Sequence, residues 1–184
     1  MKRILVAFIF IHACAVWAGE PASSQPKPNP ELKKQDFFVG NWTLTGETKP
    51  SPFGPGGQKF QSTARFQWMP GEFFLVSNSY NAGGKWGELT VIGYDPNEKI
   101  FTRTSFNASG ITEVWKGTAD DNTWIWTKKE KVDGKPVTER LMINRTSQTS
   151  YSFKLEIEPE TGSSLTVIEG SGIKTNSKVV TPTG

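Results

Sequence analysis

From Gly40 onward the chain breaks into short runs rich in Thr, Val, Ile, Phe and Trp, separated by clusters of Gly, Pro, Asn and Asp. Such runs alternate apolar and polar positions with a period of two, which predicts strands rather than helices. The predicted strands cover 41–48, 58–68, 73–81, 86–94, 99–106, 111–118, 123–131, 136–145, 151–158 and 164–172. Asp133-Gly134 between two such runs is a two-residue hairpin signal. Asp95-Pro96-Asn97-Glu98, Asp120-Asp121-Asn122 and Pro159-Glu160-Thr161-Gly162 mark further turns. About ten strands joined in sequence order by short turns predict an all-β fold, an up-and-down antiparallel barrel whose closure removes exposed edges.

Pairing can be read from the turns. A hairpin at Asp133-Gly134 sets Trp126 opposite Leu141 and Trp124 opposite Ile143. A turn near 119–122 sets Trp115 beside Trp126 and Glu113 beside Lys128, while Phe153, Leu155 and Ile157 align with Leu165 and Val167. The apolar residues then share one face, and Lys116, Thr127, Arg140, Lys154 and Glu156 share the other, the alternation a barrel needs. Ahead of the first strand, Pro30 to Phe38 combines a Pro near a helix start, an acidic first turn and apolar Leu32, Phe37 and Phe38, which predicts a short helix.

The N-terminus has a different pattern. Lys2-Arg3 precedes an apolar run from Ile4 to Ile11 and small residues at Val16 and Ala18, the layout of a secretory signal peptide over 1–18. The run is too short for a membrane span of roughly 20 residues. Ile11-His12-Ala13-Cys14 is an imperfect lipobox, so lipid attachment at Cys14 is the alternative to a freely exported chain. Residues 19–29, rich in Pro and Ser, read as a disordered spacer, 30–175 as one barrel domain and 176–184 as a tail.

Cleavage after Ala18 removes the single His and the single Cys, His12 and Cys14. The mature chain then lacks the groups for disulfides, Cys/His zinc sites, His-ligated haem, a Ser-His-Asp triad or a Cys nucleophile. No metal or cofactor is expected. Losing Lys2 and Arg3 leaves 19 basic against 18 acidic side chains with no basic block, which argues against nucleic acid as a partner.

Several stretches carry a resemblance. Phe38-Val39-Gly40-Asn41-Trp42 resembles the Gly-x-Trp that opens the first strand of calycins, the lipocalin and fatty-acid-binding-protein group. On this reading Asn41-Trp42-Thr43 is the barrel entrance, formed by Gly40 and Trp42, rather than a glycosylation site. The chain is more specifically similar to a bacterial family of calycin-like domains of unknown function, over roughly 37–175. Its features include the Pro-Gly-rich loop 50–57, Val91-Ile92-Gly93-Tyr94-Asp95-Pro96, Trp115-x-Gly117, and a strand bearing Trp124 and Trp126. Pro70-Gly71-Glu72-Phe73-Phe74-Leu75 stands where that family has Gly-Gly-Arg-Phe-Leu. The resemblance implies a lipocalin-like barrel without an established activity. Related barrels include haem and fatty-acid binders; without His, a haem would need Tyr80, Tyr94 or Tyr151.

The candidate site follows from what the inward face holds. Trp115, Trp124 and Trp126 fill a core or line a pocket. Thr102, Thr104, Glu113, Lys128, Glu139 and Glu169 alternate onto the same face and do not suit a dry interior. Arg103 falls on the outer face; a slip of one residue turns it inward, where it becomes a carboxylate anchor. The candidate ligand-binding residues are therefore Trp115, Trp124, Trp126, Glu113, Thr104 and Arg103. The leading expectation is an exported barrel that binds a small apolar or amphipathic molecule in its interior. The alternatives are a packed barrel serving as an envelope or protein-interaction module, and an enzyme using Glu113 and Glu139 as acid and base.

Overall fold

A computed structural model describes residues 26–52, 54–132 and 134–176. The expected signal peptide over 1–18 with Cys14, most of the expected spacer, Phe53, Asp133 and the tail beyond Asn176 lie outside the described residues. Ten antiparallel strands form a closed barrel in sequence order, with β1 closing on β10. They are β1 (Gly40–Thr48), β2 (Lys59–Trp68), β3 (Leu75–Asn81), β4 (Trp86–Asp95) and β5 (Ile100–Asn107). The second half comprises β6 (Thr112–Ala119), β7 (Thr123–Val132), β8 (Lys135–Arg145), β9 (Ser150–Pro159) and β10 (Leu165–Thr175). The all-β, up-and-down antiparallel barrel of about ten strands is thus observed, with strand limits close to those the turn chemistry predicts.

The helix over Pro30–Phe38 forms as nine residues of 3₁₀ helix. Asn29 caps it by accepting a hydrogen bond from the Glu31 amide at 3.0 Å, and Pro30 supplies a φ suited to the first turn. Gly40 follows with φ 124°, a conformation open to glycine and strained for other residues. This junction drops Trp42 into one end of the barrel, where it is fully buried and its indole N–H donates to the Phe38 carbonyl at 2.6 Å. Phe37 stacks on Trp124 at 5.4 Å, Phe38 meets Trp124 edge-on at 4.7 Å, and Trp42 lies 4.9 Å from Tyr151. Each such pair adds about 0.5–1.5 kcal/mol beyond burial, so the helix and three strands seal this end together.

The pairing of β7 with β8 is the one expected, with Trp126 opposite Leu141 and Trp124 opposite Ile143. Val132 and Lys135 bracket the hairpin, and Gly134 has φ 77°. Three other expectations are corrected. Trp126 lies opposite Gly117, not Trp115, because Asp120 accepts from the Asn122 and Thr123 amides and makes Ala119–Trp124 the last pair before the turn. The shift is two residues, so the face is kept and Glu113 still reaches Lys128.

In β10 a bulge between Thr166 and Ile168 takes Val167 out of register, and Leu155 faces Ile168 instead. The extra residue reverses the alternation beyond it. Glu169 therefore pairs laterally with Lys154 and Glu47 on the outer wall, where it binds Lys49 at 2.5 Å. In β5 the inward residues are Phe101, Arg103 and Ser105, since Arg103 is opposite inward Trp115. Thr102 and Thr104 consequently face out; Thr104 lies between Val91 and exposed Val114.

Candidate functional site

Among the described residues, an interior cavity of about 220 Å³ lies above the sealed end. Phe38 forms part of its floor. One wall, from β1 and β7 to β9, is apolar, made by Leu44, Trp126, Leu141, Ile143 and Phe153. The facing wall, from β2 to β5, carries Ser62, Ser77, Ser79, Glu88, Thr90 and Arg103 among Ala64, Phe66 and Ile92. Small hydroxyl residues at alternate positions leave this space open, whereas large ones would fill it. The volume is below the roughly 300–1,000 Å³ of ordinary ligand pockets, which limits an occupant to a small molecule.

Close backbone approach shapes the apolar wall. Gly117 has no Cβ, and the Trp126 ring lies across that position; an added Cβ would also sit 2.8 Å from the Ile125 carbonyl. Gly172 accepts the Tyr151 ring in the same way. Burial raises the pKa of the Tyr151 phenol, so it faces the cavity as a neutral hydroxyl.

The polar wall is built around Arg103. Its guanidinium donates to Glu88 Oε1 at 3.0 Å, and the same oxygen accepts from Thr90 Oγ1 at 2.7 Å. Burial lowers the Arg103 pKa, while Glu88 and Glu113 oppose that effect; a guanidinium stays charged throughout. Arg103 also lies 5.6 Å from the Trp115 ring centre, and Lys128 lies 4.9 Å from it. Trp115 thus joins the cavity wall to a second polar cluster, toward the end of the barrel opposite the helix.

That cluster is centred on Lys128, whose ammonium pairs with Glu113, with Glu130 at 3.0 Å and with Glu139 at 3.2 Å. Burial works to lower the Lys128 pKa, but its hydrogen bonds to Glu113 and Glu130 and the charge of Glu139 outweigh it and raise the value. Glu139 behaves oppositely. Burial and a hydrogen bond to Glu130 push its carboxyl up to about 7, despite the nearby ammonium. That hydrogen bond, with Lys128, holds Glu130 below the usual carboxylate range.

The sequence-derived residues divide accordingly. Trp126 and Arg103 line the cavity. Trp115 is buried under the two cations, Trp124 belongs to the sealed end with Trp42, and Glu113 belongs to the Lys128 cluster. Thr104 is outside the barrel and is removed from the candidate site. Glu88, Glu130 and the serines of β2 and β3 were not singled out from the sequence. Their signal is the run of small polar residues at period two, Ser77-x-Ser79 and Glu88-x-Thr90, which by itself resembles an outer face. No group of three or more His, Cys, Asp or Glu suited to a metal occurs among the described residues, nor does a helix long and apolar enough to cross a membrane.

The chain aligns with solved structures at low sequence identity. The structure of Rv2717c from M. tuberculosis aligns with a TM-score of 0.57 at 15% identity, covering 82% of this chain and all of that one. The S-type phycobiliprotein lyase CPES from Guillardia theta aligns with a TM-score of 0.49 at 13% identity, covering 82% of this chain and all of the lyase. A comparison with curated protein sequences gives no match. At the level of sequence families the match is clear: residues 27–172, the sealing helix and nearly the whole barrel, fit "Protein of unknown function (DUF1579)", and the chain belongs to that family.

Proposed function

We propose that this protein is exported and binds a small apolar or amphipathic molecule inside its barrel. The observation that carries the reading is the cavity of about 220 Å³ with one apolar and one polar wall. A barrel that only needed stability would fill such a space, because empty interior volume costs about 24 cal/mol per Å³. Export rests on the signal-like pattern of residues 1–18. A second reading, a protein-interaction module, draws on Phe106, Ile111 and Val114, which are exposed on β5, β6 and the turn between them.

Purification of the protein from its own host, followed by native mass spectrometry and N-terminal sequencing, tests both parts. The expected result is a chain beginning near Gly19 that carries a small organic adduct released by denaturation. Exported material with Met1 intact would refute signal cleavage. A bare mass that also fails to take up added apolar probes would refute the binding reading and favour the interaction module.

A further inference from the structure

Resting on the binding reading, the geometry points to a more specific ligand: a small amphiphile whose polar end donates hydrogen bonds and carries no negative charge, an alcohol or amine rather than a carboxylate. The inward polar groups of the cavity and its adjoining cluster comprise two cations, Arg103 and Lys128, and four carboxylates, Glu88, Glu113, Glu130 and Glu139. Both cations are already engaged. Arg103 is paired with Glu88, itself on the cavity wall, and Lys128 lies within ion-pair distance of three carboxylates. A carboxylate ligand approaching Arg103 would therefore enter beside Glu88 without a free countercharge, and like charges at short range are costly.

The remaining polar surface fits an uncharged or cationic head group. Ser62 and Ser77 line the cavity, and their hydroxyls make no hydrogen bond to another described residue. Hydroxyls both accept and donate, and Glu88 adds acceptor capacity.

A series with one chain and three heads tests this: 1-octanol, octylamine and octanoate, titrated against mature protein at pH 8 by isothermal calorimetry. Octanol or octylamine is expected to bind at least about tenfold more tightly than octanoate, the scale of one unpaired like charge. In Glu88→Gln, which frees Arg103, octanoate should gain about tenfold relative to octanol. Octanoate binding the wild-type barrel as tightly as the other two would overturn the head-group assignment while leaving the binding reading intact. Failure of all three to bind would overturn both. If Glu88→Gln does not fold, the wild-type series alone decides.

Discussion

At the scale of single residues, Glu139 shows how the interior sets chemistry. It is 9% exposed; around it lie Lys128 and Glu130 of β7 and Glu113 of β6, with Ile157 opposite on β9. Because its carboxyl is raised from the usual 4.5 to about 7, the folded protein holds this proton more tightly than the unfolded chain. The resulting stabilisation is fully present below about pH 4.5 and is lost as pH rises through about 7. Replacing Glu139 with Gln removes that contribution and keeps the shape. Melting temperatures recorded from pH 4.5 to 8 are expected to decline more steeply in the wild type than in Glu139→Gln. Equal slopes would mean that Glu139 ionises in the fold as it does in water.

At the scale of elements, the barrel depends on places where backbone and ring meet directly. Gly117 of β6 is one, and Gly117→Ala would press a methyl group into Trp126 and toward the Ile125 carbonyl. Overpacking of this kind costs about 1–3 kcal/mol, and the displaced indole moves toward the cavity. Urea denaturation should report that loss, together with weaker uptake of an apolar probe; unchanged stability and binding would show the contact to be loose.

Strand limits and the β7–β8 register were legible because Asp133-Gly134 and the Asp and Pro turns are local chemistry, and the sealed end was legible in Gly40-Asn41-Trp42. Two features of the inward face were not. The bulge at Val167 leaves no distinctive residue, yet it moves Glu169 to the outer wall. In β5, two of the three inward residues, Arg103 and Ser105, are polar, so the rule of apolar-in and polar-out pointed to the wrong face. That failure has a physical source. The polar wall of the cavity breaks the pattern from which inward faces are read, and functional sites are where local rules are expected to fail.

At the scale of the whole molecule, a ten-stranded closure gives a barrel wider than eight strands would, and helix, Trp42 and Trp124 fill only one end of it. The space above them remains as a cavity against Trp126, which makes its indole a built-in reporter. The central claim, that this interior takes up a small molecule, is tested most directly by titrating 1-octanol into purified protein while following tryptophan fluorescence and melting temperature, with Ser77→Leu as the filled-cavity control. Wild-type protein should respond saturably at one molecule per barrel, with stabilisation approaching about 2.7 kcal/mol at a hundredfold excess over the dissociation constant. Ser77→Leu, whose side chain would occupy the cavity, should fold and not respond. A wild-type barrel with no saturable change, or one matched by Ser77→Leu, would contradict the account.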